Sequence, residues 1–261
     1  METLTRFFKI IDLLENSNEL RLKDVSDKLG MDKSTTHRFL KTLLKHDYVK
    51  INPDNKKYSL GLKFLNISSK IIDSIDIRNI AQPHLLELVN YTNETIHLTT
   101  FDGKGVVYID KIESAGPIRM YSRIGNVAPI HCTAAGKVIL AFQKGAVIDE
   151  IVKDLDFISF TENTSTCKED FLKALEEVRN NGFAIDNSEH EENICCIAAP
   201  IRDYSRKVGH AVSISAIKTR MDLSKLITFK DILIDKANAI SKELGYIDKG
   251  FTNFAEMNKE L

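Results

Sequence analysis

The sequence predicts an α+β protein in two parts, a winged helix-turn-helix followed by a larger domain of antiparallel strands with helices around them. Three observations predict it. Three short amphipathic helical patterns and a hairpin pattern fill the first 60 residues. Paired alternating segments with turn residues between them recur after residue 94. Helical patterns stand between and after these strands, the arrangement of an α+β domain. The expected division is 1–61 for the winged unit, 62–76 for a linker helix, 77–250 for the second domain and 251–261 for a loosely held tail.

Thr5–Leu14 carries an apolar stripe of Phe7, Ile10, Ile11 and Leu14, and Asn16-Ser17-Asn18 ends it. Leu22–Leu29 is a second, short helix with Leu22, Val25 and Leu29 inward. Gly30 stops it, because glycine enters the left-handed conformation cheaply. Met31–His46 follows as the recognition helix, with Asp32 placed to cap its first turn. Thr36, Leu40, Leu43 and Leu44 share its inner face. Lys33, Ser34, Thr35, His37, Arg38 and Lys41 crowd the N-terminal half with the donors that a major-groove helix needs. A surface helix with a solvated polar face is the plain alternative; a short helix, a glycine turn and a polar-faced helix in series favour DNA. Tyr48–Ile51 and Lys57–Leu60 pair around Asn52–Lys56, giving a wing whose Lys56 and Lys57 reach phosphate.

Leu62–Ile75 is apolar around much of its circumference, which predicts burial on more than one side, against its own domain or a second subunit. Asp76–Asn90 is helical, with a kink or restart expected at Pro83. Thr95–Phe101 and Val106–Ile112 form a hairpin around Asp102-Gly-Lys-Gly105, and Ile118–Ser122 reads as a third strand. Thr133 caps a helix beginning at Ala134. There the small residues Ala134, Ala135 and Gly136 either open backbone amides to an anion or let the helix pack closely. Ala146–Leu155 and Lys168–Asn181 are helices. Phe183–Ile185 is a strand, Asp186–Asn193 a polar loop, and Ile194–Pro200 and Gly209–Ile217 are strands. Leu223–Leu244 is one long helix. Ser213 and Ser215 lie on one face of their strand.

Charge and composition limit the function classes. The formal net charge is −1, but residues 1–60 hold 12 Lys and Arg against 9 Asp and Glu, so the small positive surplus sits where DNA contact is expected. No apolar run approaches the roughly 20 residues of a membrane span, and no signal-peptide pattern opens the chain, so a cytoplasmic protein is expected. Cys132, Cys167, Cys195 and Cys196 lack CxxC spacing and are read as reduced thiols, with no metal or cofactor expected. Two other readings compete. One is an enzyme using His131 or His190 with Cys132 or Cys196 as nucleophile, or the same groups holding zinc. The other is a winged helix that contacts protein rather than DNA.

Taken in order, Lys33-Ser-Thr-Thr-His-Arg-Phe-Leu40, Pro129-Ile-His-Cys-Thr-Ala-Ala-Gly-Lys137, Asp186-Asn-Ser-Glu-His190, Cys196-Ile-Ala-Ala-Pro200 and Ser213-Ile-Ser215 resemble the IclR family of bacterial transcriptional regulators, over residues 5–245. The resemblance implies a winged reader, a linker helix and a GAF-like effector domain. It also implies a homodimer or homotetramer on palindromic double-stranded DNA, and a small organic or sugar acid as effector. The pocket it implies comprises Ala134, Ala135, Asp186, Cys196, Ser213 and Ser215. The family often has glycine where Ala134 stands, and the extra methyl is expected either to narrow the site or to push the anion slightly outward.

Overall fold

The computed structural model describes residues 2–74, 76–116 and 120–247, which divide into two compact units, 1–75 and 76–261. In the first, α1 (Glu2–Glu15), α2 (Leu22–Leu29) and α3 (Lys33–Lys45) precede a hairpin of β1 (Val49–Ile51) and β2 (Tyr58–Leu60). Gly30 closes α2 at φ 62°, and Asp32 caps α3 by accepting from the Thr35 amide at 2.8 Å. Ile10, Leu14, Val25, Leu40 and Leu43 are buried together, so the three apolar stripes meet in one small core. Leu20 extends the hairpin: its amide donates to Tyr58 O and its carbonyl accepts from Tyr58 N, at 2.9 and 2.7 Å. The Glu19 carboxylate takes the side-chain amides of Asn52 and Asn55, which ties the loop before α2 to the wing turn.

The helix set apart as a linker, α4 (Lys63–Ser74), belongs to the first unit. Phe64 packs edge-on against Tyr48 with ring centroids 5.4 Å apart. Leu62, just before the helix, and Leu65 within it are about two-thirds exposed. At these two positions burial within the chain is incomplete; the side chains of Ile71, Ile72 and Ile75, on which the same expectation rests, lie outside the described residues.

The second unit is built on a six-stranded antiparallel sheet in the order β5-β4-β3-β8-β7-β6. It opens with α5 (Ile77–Thr92), followed by β3 (Thr95–Phe101), β4 (Val106–Ile112) and the short β5 (Val127–Ala128). Then come α6 (Ala134–Ala141), α7 (Gly145–Lys153), α8 (Lys168–Asn181), β6 (Ala184–Asn187), β7 (Ile194–Arg202), β8 (Val208–Ile217), α9 (Leu223–Leu226) and α10 (Lys230–Glu243). Helices α6, α7 and α8 share a core with Ala198 of β7 and Ala211 of β8, so they cover one sheet face. Strand alternation sends Ile197, Ala199, Val212 and Ile214 to the other face, where α5 and α10 pack against β3 and β7. His84 and Glu243 join α5 to α10 at 2.7 Å, and Lys236 pairs with Glu87 between the same helices.

Several expectations need correction. Helix α5 runs unbroken through Pro83. A proline inside a helix costs about 3 kcal/mol; fully buried Ala81, Leu85 and Leu88 on either side supply the packing that offsets it. Asp186 and Asn187 belong to β6 and not to the loop, because they pair with Cys196 and Cys195 across the ladder. The polarity of these side chains had concealed that their backbone is sheet. The long C-terminal helix is broken by a 3-10 turn at Ile227–Phe229, where the Thr228 hydroxyl donates to the Lys225 carbonyl and Phe229 packs on Tyr91. Of the strand expected at Ile118–Ser122, residues 118 and 119 lie outside the described residues, and Met120–Ser122 is not strand. The tail at 251–261 lies outside them as well. Among the described residues, no helix is long and apolar enough to cross a membrane.

Candidate DNA-reading face and effector cavity

On α3 the inner face is Thr36, Leu40 and Leu43, and the outer face carries the expected reading residues. Lys33, Ser34, His37, Arg38 and Lys41 are exposed; Thr35 is half-buried. Lys33, His37 and Lys41 follow one another at four-residue spacing, and Ser34, Arg38 and Lys41 form a neighbouring row. Asp32 does more than cap the helix. It also accepts from the Ser34 hydroxyl at 2.6 Å, and these hydrogen bonds hold its carboxyl well below the usual carboxylate range. The helix start is thus fixed, with Ser34 committed to the cap. Arg38 and Thr42 border a groove with Thr3, Leu4, Phe7 and Phe39, between α3 and α1. Lys56 stands exposed at the wing turn with φ 57°, and half-buried Lys57 follows it with its amide donating to Asn55 Oδ1.

In the second unit, Ala134, Ala135, Asp186, Cys196, Ser213 and Ser215 line one cavity of about 30 Å3. Four segments far apart in sequence bring them together. Register places Cys196 opposite both Asp186 and Ser215, and alternation puts Ser213 and Ser215 on one face of β8. Helix α6 abuts that face. The first turn of a helix has amides without intrahelical acceptors. Thr133 accepts from the Gly136 amide with its hydroxyl at 3.1 Å and from the Lys137 amide with its carbonyl at 3.0 Å, leaving those of Ala134 and Ala135 with no helical partner. The two readings of the small residues separate by position. Ala134 and Ala135 line the cavity. A Cβ on Gly136 would fall 2.4 Å from the Ile130 carbonyl oxygen, so Gly136 is there for close packing.

The cavity also contains residues that the sequence reading left out: His97, Tyr108, Met120, Ser122, Glu191 and Ile194. His190, weighed only as an enzyme residue, and Thr133 complete the lining. The signal for His97 was present in Thr95-Ile-His-Leu-Thr99, where a polar face alternates with an apolar one. Both faces are buried, which is how a strand marks an internal polar site.

The electrostatics are unusual for a buried place. Asp186 is 3% exposed, and burial together with Glu189 nearby pushes its carboxyl up to about 7. Its Oδ1 accepts from the Glu189 amide at 2.8 Å. Lys137, 6% exposed, holds Glu189 through both carboxylate oxygens at 2.6 and 2.7 Å. Ser188 and Asn193 turn the loop between β6 and β7 with φ of 58° and 61°. Burial raises the thiols as well: Cys132 to about 12, Cys195 upward and Cys196 well above its ordinary value, so all three stay protonated at neutral pH. Protonated thiols are poor nucleophiles and poor metal ligands. Among the described residues, no cluster of three or more His, Cys, Asp or Glu is placed to hold a metal ion.

Two family models match the chain, the IclR helix-turn-helix domain over residues 3–53 and the bacterial transcriptional regulator IclR C-terminal domain over residues 69–242. The chain is 37% identical over 247 residues to the HTH-type transcriptional regulator XynR of Escherichia coli, covering 94% of this chain and 98% of that one. The crystal structure of Thermotoga maritima IclR superposes with a TM-score of 0.64 at 34% identity, covering 94% and 100% of the two chains. That of the Agobacterium tumefaciens repressor BlcR superposes at 0.71 with 27% identity, covering 95% and 99%.

Proposed function

Because the chain belongs to the IclR family and is a DNA-binding transcriptional regulator with an effector-binding domain, we propose that it is a repressor released from, or recruited to, a palindromic operator by a small carboxylate metabolite. The observation that carries the effector half is the cavity itself. Ala134 and Ala135, whose amides have no helical acceptors, line one cavity together with Ser213 and Ser215. Such amides favour an anion, since the helix N-terminus is electropositive. Serines take keto or hydroxyl oxygens, Asp186 accepts from a ligand hydroxyl, and Cys196 contributes a small apolar wall. BlcR, a repressor by its description, supports repression as the direction of control.

On the DNA side, His37 and Arg38 approach base edges, with Lys33, Thr35 and Lys41 on bases or phosphates, Ser34, its proton given to the cap, left to accept from a base, and Lys56 and Lys57 on flanking phosphates. A palindrome calls for two readers, and the exposed Leu62 and Leu65 favour a subunit contact through α4 in a homodimer or a pair of dimers. An effector must prefer one subunit arrangement over another to exert control. Such a protein works in the cytoplasm.

The test is selection from sheared genomic DNA with the purified protein, followed by thermal-shift titration with sugar acids, keto acids and aromatic acids. A shared palindrome among retained fragments and stabilisation by one acid class are expected. Retention without any motif, both alone and with each acid class present, would reject the operator reading. Indifference to every acid would reject the carboxylate effector.

A further inference from the structure

We propose that His97 is a relay between two hydroxyls of the cavity, Ser215 on β8 and Ser122 on the stretch joining β4 to β5, so that the hydrogen-bond role of one serine sets that of the other. The inference deepens the effector reading and takes its regulatory meaning from it, although the relay itself can be tested with no effector present.

The geometry is a three-membered chain. Ser215 Oγ lies 3.2 Å from His97 Nδ1, and Ser122 Oγ lies 2.8 Å from His97 Nε2. The ring is 2% exposed and is held by Tyr108, whose centroid is 4.9 Å away. Its charge state is constrained from the adjoining strand. Lys111 is its register partner on β4, and the ammonium of that lysine donates to the carbonyls of Met120 and Ser122 at 3.0 and 2.8 Å. Burial first, and the Lys111 charge second, lower the imidazole to about 3, so it is neutral at physiological pH.

A neutral imidazole has one N–H and one bare nitrogen. One serine must therefore donate to the ring, and the other must accept from it. The serine that accepts keeps its own proton for a neighbour in the cavity. When an oxygen in the cavity takes the Ser215 proton, Ser215 can only accept from the ring. The ring then carries its proton on Nδ1, and Ser122 donates to Nε2. Both tautomers are neutral; one proton leaves Nε2 for solvent and one reaches Nδ1 from it, with no net uptake. A change on β8 thereby reaches Ser122, whose main chain Lys111 already holds.

The experiment uses full-length protein with 15N-labelled histidine and backbone. At pH 7 the His97 ring of the wild type should show one protonated and one bare nitrogen. Ser215→Ala should change the ring nitrogen shifts and move the amide resonances of Met120–Arg123. Ser122→Ala should reciprocally move those of Ser213–Ser215. In a His97→Phe background both cross-effects should vanish. An imidazolium at pH 7, alanine effects confined to their own segment, or cross-effects that survive His97→Phe would each overturn the relay. If His97→Phe does not fold, the reciprocity of the two alanine variants and the ring tautomer decide. Loss of the effector reading would appear separately, as indifference to acids in a protein whose cross-effects persist.

Discussion

Lys137 places an ammonium where only 6% of the residue is exposed, and its stability depends on Glu189. Removing one member of a buried pair leaves the other charge uncompensated, a loss of about 3–5 kcal/mol. Lys137→Met should therefore lower the urea midpoint sharply, and adding Glu189→Gln should recover much of the loss. Asp186 and His97 give opposite pH dependences. Asp186 is raised from 3.8 to about 7, so between those values the folded state binds the extra proton and stability falls as pH rises. His97 is lowered from 6.5 to about 3, so between those values the unfolded state binds the extra proton and stability rises with pH. The two oppose one another from about pH 4 to 6.5. Asp186→Asn keeps an acceptor for the Glu189 amide and removes the first contribution. Its unfolding free energy should exceed that of the wild type at pH 8 by up to roughly 4 kcal/mol, because each tenfold difference in proton affinity between folded and unfolded chain is worth about 1.4 kcal/mol. The advantage should shrink toward pH 4. An advantage independent of pH would show that Asp186 is an ordinary carboxylate. These residue-scale features were only partly legible. Asp32 as a cap depends on its own next three residues and could be read directly. The alternation around His97 was visible in its own strand, but its pairing with Ser215, 118 positions away, depends on strand register, which no local pattern reports.

At the scale of elements, α6 divides its small residues between two tasks. Gly136→Ala puts a methyl against the backbone of Ile130, with 2.6 Å to its Cα as well as 2.4 Å to its oxygen. Backbone cannot swing aside as a side chain can, so α6 and the turn before it, which carries Ile130, must separate. The variant should unfold at lower temperature in a calorimeter, by about 2–4 °C for each kcal/mol lost in a unit of this size, and should lose any acid-dependent stabilisation. Helix α3 invites the complementary test. Arg38→Ala on its exposed face should leave the melting temperature within the small range of surface changes, while operator affinity falls by about 1–3 kcal/mol and base preference relaxes. Element identity was well marked in the sequence wherever capping and periodicity agreed, as in α2, α3 and α8. It failed at Pro83, at Asp186-Asn187 and at Ile227–Phe229. In each of these the packing of neighbouring elements outweighs the local preference that the residue types express.

At the scale of the molecule, a chain of net charge −1 must bind a polyanion with a local surplus of only three positive charges in its first 60 residues. DNA affinity should fall steeply with salt, with a slope of about −0.9 for each phosphate contact. Lys56→Ala and Lys57→Ala should each flatten that slope by about one and weaken all sequences alike. A slope unchanged by both substitutions would remove the wing from the phosphate contacts. The two-part organisation was legible because each unit carries its own apolar periodicities. That Leu62 and Leu65 stay exposed was not legible, because a helix pattern records how much apolar surface exists and not which chain covers it.

The sheet order also has a consequence in time. The cavity needs β8, near the end of the chain, whereas the reading unit is complete by Ser74. Ribosomes add about 5–20 residues per second, so the roughly 140 residues between Ser74 and Ser215 take on the order of 10–30 s to make. For that interval each nascent molecule has a complete winged unit while the cavity proposed for the effector does not yet exist. If the cavity is the effector site, the youngest copies pass through a stage at which one half of the molecule is ready and the other has yet to be made.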